Sequence, residues 1–164
     1  MNKLHLKKNF LLVFILFLFS CEPDDICLST IADTPKMIIV FYDHSSGQKK
    51  EVQNLQIKGS ENSNVYFEKT TDSIALPLKN LEKITGYSLT NNYSDNVNQL
   101  LNTDDILINY EYNYVFVSRA CGYVSNYNLK QIIVENDNLN WIIRSEIINE
   151  EVFNEKNIHV KIYH

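Results

Sequence analysis

The residues that can take the largest number of chemical roles in this sequence are its three cysteines, Cys21, Cys27 and Cys121. A thiol can be acylated, can bind a metal as the thiolate, can act as a nucleophile or can form a disulfide. No two of the cysteines have the Cys-x-x-Cys spacing of thioredoxin-like redox motifs and many zinc sites. The segments around each cysteine therefore have to indicate its role.

Cys21 directly follows an apolar run that covers residues 10–19, with a short lysine-rich segment before it. A helix of that length rises only about 15 Å, too little for a hydrocarbon core of about 30 Å. The pattern predicts a secretory signal peptide over residues 1–20 rather than a membrane span. The run ends in Leu18-Phe19-Ser20-Cys21, which resembles the bacterial lipobox, so we expect acylation of Cys21. The alternative is an ordinary signal peptide with a chance cysteine.

The segment after Cys21 is acidic, with the sequence Glu22-Pro23-Asp24-Asp25. We interpret residues 21–34 as a lipidated tether, because more than one acyl chain (palmitate among them) gives stable anchoring. The acidic stretch also resembles the signal that directs some Bacteroidota lipoproteins to the outer face of the outer membrane. We therefore expect a lipid anchor in the outer membrane, with the protein on either its periplasmic or its exposed face.

Cys27 and Cys121 remain once Cys21 is acylated, and an exported protein keeps such a pair oxidised. We predict a disulfide between them, which would fix the end of the tether on the folded domain. The alternative is a pair of free, reactive thiols. The acidic residues near Cys27 disfavour a reactive thiolate.

The rest of the sequence alternates between apolar and polar residues with a period of two, the pattern of β-strands. About eight strands, spaced about 8–12 residues apart and without a convincing long helix, predict an all-β fold. We expect an antiparallel β-sandwich, immunoglobulin-like or similar, over residues 35–164. The clearest strand covers 106–118 and follows a polar loop that ends at Asp104. The expected core residues are Ile39, Phe41, Leu76, Ile108, Tyr110, Val160 and Ile162.

Two groups on the clearest strand are candidate binding residues. Arg119 stands among apolar strand residues just before Cys121; we expect a structural ion pair with a carboxylate, and the alternative is that it lines a site. Tyr110, Tyr112 and Tyr114 share one strand face. We interpret them as packing residues, and the alternative is a platform on which sugars stack.

Other side chains give weaker signals. His44, His159 and His164 occur in no metal-binding motif and are predicted to be solvated surface residues, so we expect no metal, no cofactor and no enzymatic activity. The net charge of −5 argues against a nucleic-acid partner. Asp72-Ser73-Ile74 resembles the tripeptide that Bacteroidota enzymes O-glycosylate, which makes Ser73 a candidate glycosylation site.

Several stretches resemble an uncharacterised family of short Bacteroidota lipoproteins, known as a domain of unknown function. The resemblance implies an envelope lipoprotein and no established activity. We therefore expect a non-enzymatic binding or structural module on a membrane tether, with an envelope protein or a glycan as partner. The alternative is a lipoprotein that binds a small ligand or glycan through exposed aromatic residues. The stretches that carry the resemblance are 21–27, 34–43, 116–123 and 159–163.

Overall fold

The computed structural model describes residues 26–28, 33–62, 64–96 and 100–164. The predicted signal peptide, the lipidation site Cys21 and most of the predicted tether lie outside the described residues. The chain forms two compact units. We call Ala32–Val115 with Val124–His164 the sandwich unit, and Met1–Ile31 with Phe116–Tyr123 the cystine unit.

The described residues form ten β-strands and no helix. None of them belongs to a helix that is long and apolar enough to cross a membrane. The strands are β1 Met37–Tyr42, β2 Val52–Gly59, β3 Val65–Thr71, β4 Ser73–Leu76, β5 Ile84–Asn91, β6 Asn102–Ser118, β7 Gly122–Val134, β8 Arg144–Ile147, β9 Glu151–Val152 and β10 Val160–Tyr163.

The strands form two sheets, as predicted for a β-sandwich. One sheet has the order β4-β1-β10-β8 and the other the order β3-β2-β5-β6-β7-β9. The expected antiparallel sandwich is confirmed in its main features, and one strand pair differs: β1 and β10 pair in parallel, with Ile39 opposite Val160 and Phe41 opposite Ile162. Alternation shows which side chains of a strand face inward but not the direction of its neighbour.

The core of the sandwich unit consists of the inward-facing side chains of the two sheets. All seven residues predicted to be buried are buried. Phe41 lies near the ring of Trp141 at a centroid distance of 6.4 Å, and Trp141 Nε1 donates a hydrogen bond to the Leu89 carbonyl. The core therefore satisfies the polar atom of its largest side chain, as a packed interior requires.

β6 begins at Asn102, so the predicted polar loop through Asp104 was wrong. Asp104 occupies an inward position of β6 in phase with Ile106 and Ile108. Its Oδ2 accepts the backbone N–H of Ile142 at 2.7 Å, and burial raises the pKa of the carboxyl. A buried carboxylate with a backbone donor can thus replace an apolar side chain in the strand pattern.

β7 is also longer than the strand that the sequence pattern predicts from Leu129 to Glu135. It begins at Gly122, immediately after the turn formed by residues 119–121. Ser125, Tyr127 and Leu129 are buried in alternate positions. The long β6–β7 hairpin places Cys121 in its turn.

Candidate functional site

The cystine unit contains the predicted disulfide. Cys27 and Cys121 are bonded, with Cα atoms 4.9 Å apart and a sequence separation of 94. The Cys121 N–H donates to Ser118 Oγ at 3.0 Å. Gly122 has a φ of +69°, a conformation that favours glycine where β7 begins. The alternative of two free thiols does not hold in this structure.

Large apolar side chains surround the disulfide in sequence and are exposed. The exposed fractions are 75% for Ile26, 61% for Leu28, 56% for Phe116 and 66% for Tyr123. The rings of Phe116 and Tyr123 meet edge to face with centroids 5.3 Å apart. Because exposed apolar clusters often mark interaction surfaces, the cystine unit is a candidate site. We call these four side chains the apolar cluster.

Arg119 lies in the turn between β6 and β7 and is exposed. The expectation that it stands within an apolar strand segment was wrong, because β6 ends at Ser118. The flanking apolar residues belong to the two exposed arms of the hairpin end rather than to a core strand. Arg119 therefore belongs to the cystine unit and to the surroundings of its disulfide.

The three tyrosines of the predicted strand face have different environments. Tyr110 is buried, its hydroxyl donates to the Lys79 carbonyl and it contacts Thr85 Oγ1 at 2.7 Å. Burial raises the pKa of Tyr110. Tyr112 is half-buried and Tyr114 is exposed, and their rings form an edge-to-face pair. Packing, the interpretation that we favoured for the three tyrosines, is confirmed for Tyr110. Because this ring is buried, a sugar cannot stack on it.

A second candidate site, which the sequence analysis missed, is a shallow depression in the sandwich unit. It has a volume of about 220 Å³. Tyr66, half exposed, meets the buried Tyr87 edge to face at 5.6 Å. Lys79 Nζ forms ion pairs with Glu61 at 2.5 Å and Glu82 at 3.1 Å at this depression. The outward phase of Tyr66 between Val65 and Phe67 was the available sequence signal.

Gly86 explains why the depression stays open at its base. A Cβ atom on Gly86 would collide with Ser60 Oγ and come within 3.1 Å of a Leu107 methyl carbon. Glycine is therefore required for the close approach of β5 to the loop after β2. A side chain at this position would displace Ser60, which is one of the residues that line the depression.

Comparison with known families adds one result to this geometry. A family of unknown function, DUF6452, matches residues 54–164, which is more than half of the chain. The chain belongs to DUF6452. No curated protein and no solved structure matches it.

The DUF6452 match covers Cys121, Arg119, the depression and every strand from β3 to β10. It leaves out β1 and Cys27. The predicted family of unknown function is thus confirmed at the level of a domain without assigned activity. The match does not bear on lipidation.

One histidine of this DUF6452 chain is deeply buried, so the prediction of a solvated His159 was wrong. Its Nδ1 accepts the Ile38 N–H at 2.9 Å, and burial lowers its pKa, against a small opposite effect of Glu155. His159 precedes β10 and bonds to β1 through its backbone as well. Its imidazole therefore links the segment before β10 to β1, and burial favours its neutral form.

The other two histidines differ from His159. His44 is exposed, as predicted. His164 is half-buried, against the prediction, because its ring packs edge to face on Phe41 and Trp141. Among the described residues, no three His, Cys, Asp or Glu side chains converge as a metal site would require.

Ser73, the candidate glycosylation residue, is the first residue of β4 and is half-buried. Its hydroxyl donates to Asp72 Oδ1 at 2.8 Å, and its backbone lies opposite Val40 of β1. β4 is an edge strand of its sheet. Glycosylation of Ser73 stays a prediction.

Proposed function

We propose that this protein is an exported, lipid-anchored envelope protein whose β-sandwich is a non-enzymatic binding or structural module. The observation that supports the proposal most is the Cys27–Cys121 disulfide. Disulfides persist in oxidising compartments and are rare in the bacterial cytosol. The bond accounts for two cysteines and leaves Cys21, at the end of the apolar run, as the residue for acylation.

The tether gives this arrangement a physical role. Five residues lie between Cys21 and Cys27, and the disulfide then joins the tether to the turn between β6 and β7. The tether is thus joined to the rest of the protein twice, by its peptide bonds and by the disulfide. We propose an outer-membrane location, on the periplasmic or the exposed face, with an envelope protein or glycan as partner.

The test is to express the full chain and its Cys21→Ser variant in the native host and to label both with an alkyne analogue of palmitate. The unchanged chain should take up the label and sediment with membranes, and Cys21→Ser should do neither. The Cys27→Ser/Cys121→Ser variant is the matched control and should keep its label. Label on the Cys21→Ser chain, or none on the unchanged chain, would contradict the proposal.

A second candidate function is binding of a small glycan, and the depression at Tyr66 favours it. A half-exposed aromatic ring beside Glu61, Asn62 and Lys79 offers a stacking face and several hydrogen-bonding groups, the usual composition of a small-ligand site. Tyr66 is half exposed and can offer a ring face to a sugar, whereas the buried Tyr110 cannot. The polar groups already pair with one another, so binding would be weak.

A glycan array probed with the full chain would test this candidate. Tyr66→Ala should weaken any specific binding about fivefold, because an aromatic contact contributes about 1 kcal/mol beyond area burial. Phe153→Ala, which removes an exposed aromatic ring that does not line the depression, is the matched control. Equal binding by both variants, or no bound glycan on the array, would contradict a glycan site at Tyr66.

A further inference from the structure

The cystine unit has exposed apolar side chains, and its chain leads directly to Cys21, the proposed lipid anchor. Ile26 and Leu28 flank Cys27, and Phe116 and Tyr123 flank the turn that contains Cys121. All four are more than half exposed. Single exposed apolar residues are normal at the surface of a soluble protein. A group of them around one disulfide indicates a surface that binds something.

We propose that this occupant is the lipid bilayer: the apolar cluster lies in the interface of the membrane to which the chain is anchored. The proposal rests on the proposed acylation of Cys21. It adds to that anchor the surface of the protein that contacts the membrane. This surface is the end of the β6–β7 hairpin together with the residues beside Cys27. A second copy of the chain and a protein partner are the competing occupants.

Covalent geometry limits how far this surface can lie from the anchor. An extended chain spans at most about 3.6 Å per residue, so the Cα atoms of Cys21 and Cys27 are within about 22 Å of each other. The bridge adds 4.9 Å between the Cα atoms of Cys27 and Cys121. Cys121 therefore lies within roughly 27 Å of the acylated residue, which is less than the thickness of a bilayer.

This short reach compensates for the small size of the apolar cluster. Four side chains are too few for stable membrane binding on their own, because interfacial binding scales with the buried apolar area. A tether of this length turns the contact into an intramolecular one with a high effective concentration. The acidic residues of the tether oppose close approach to an anionic surface, so the apolar contact has to overcome a weak repulsion.

The side-chain types suit the membrane interface. Tyrosine is enriched at the headgroup level, where its ring lies in the apolar region and its hydroxyl remains hydrated. Phe116 packs against the Tyr123 ring, which gives one aromatic wedge, and Ile26 and Leu28 add aliphatic area. A protein partner would impose no requirement that these residues lie within the reach of the anchor.

Depth-dependent quenching tests the proposal on the full lipidated chain. The chain is purified from membranes and reconstituted into phosphatidylethanolamine–phosphatidylglycerol vesicles, with and without brominated lipids. Phe116→Trp and Tyr123→Trp report on the apolar cluster. Leu139→Trp, at a position that is 71% exposed in the sandwich unit, is the matched control, and the unchanged chain gives the signal of Trp141.

Brominated lipid should remove roughly half of the added emission at positions 116 and 123, as expected for a residue at the headgroup–acyl boundary. The emission of the Leu139→Trp control and of Trp141 should not change. Absence of quenching at both test positions, in a preparation whose intact mass shows the lipid on Cys21, overturns this inference and leaves the proposed function standing.

Two further outcomes also decide against the proposal. An intact mass without lipid on Cys21 overturns the proposed anchor and this inference together. A blue-shifted but unquenched tryptophan at position 116, with dimers after chemical crosslinking, would place a second copy on the apolar cluster instead of the bilayer.

Discussion

The sandwich unit has a buried apolar core, whereas no described residue of the cystine unit is buried. In the sandwich unit Phe41 is fully buried between the two sheets, whereas Phe116 in the cystine unit is more than half exposed. The sandwich unit gains its order from the burial of apolar area. The described part of the cystine unit is far too short to bury a core, and a disulfide links its two segments instead.

From this difference we expect the sandwich unit to determine stability and the cystine unit to make external contacts. Burial of the core side chains lowers the free energy of the folded state, so substitutions there should unfold the protein. Exposed apolar residues contribute little to the stability of the isolated chain, and their presence around a disulfide points to an external surface. Each prediction below tests that division.

Removal of the disulfide should have the largest effect on stability. Replacing Cys27 and Cys121 by serine opens a loop of 94 residues, and the chain-entropy model gives a loss of about 4–5 kcal/mol in the free energy of unfolding. Urea denaturation of both proteins measures the loss, and reduction of the unchanged chain is the matched control. A loss below about 1 kcal/mol would mean that the bond closes a loop that is already ordered without it.

The two phenylalanines provide a direct comparison of the units. Phe41→Ala should lower the free energy of unfolding by about 3–5 kcal/mol, because it removes a fully buried ring and leaves a cavity. Phe116→Ala should change it by no more than about 0.5 kcal/mol. Thermal and urea unfolding of the two variants side by side check this. Similar losses in both would place Phe116 in a core and contradict the division into a buried and an exposed unit.

Acid should weaken the sandwich unit through its buried histidines, while the described part of the cystine unit contains no histidine. Burial lowers the pKa of His159 and His164 below the usual 6.5. The unfolded chain then binds protons that the folded chain does not, so stability is complete above pH 6.5 and falls as the pH drops below it. The slope is at most about 1.4 kcal/mol per pH unit for each histidine.

His159→Asn isolates this effect, because the asparagine Oδ1 can still accept the Ile38 N–H while the group no longer titrates. We expect a shallower decline of stability between pH 7 and pH 5 in the variant. The raised pKa of Asp104 acts in the opposite direction at lower pH in both proteins. Parallel pH profiles of the two proteins would mean that His159 does not titrate with unfolding.

The sequence predicted most of the sandwich because alternation is a direct consequence of strand geometry. Ile108 and Tyr110 were expected inside and lie inside. Asp104 has the same phase, but its burial was not predicted. A carboxylate in a sequence indicates a loop residue unless its backbone hydrogen-bond donor, here Ile142, is known. His159 was missed for the same reason, since its donor, Ile38, lies 121 positions away in sequence.

The candidate sites also differ in whether the sequence predicted them. Cysteine counting predicted the Cys27–Cys121 bond, because a chain expected to be exported, with Cys21 expected to be acylated, has one pairing available. The depression at Tyr66 depends on three separated segments and on the absence of a side chain at Gly86, and no local pattern encodes that arrangement. The parallel β1–β10 pairing is equally non-local.

Peptide mass spectrometry of the non-reduced protein, taken from the membrane fraction, tests the central claim most directly. The account predicts a mature chain that begins at an acylated Cys21, with the peptide that contains Cys27 linked to the peptide that contains Cys121. An unmodified N-terminus without lipid, or Cys27 and Cys121 recovered as free thiols, would contradict it.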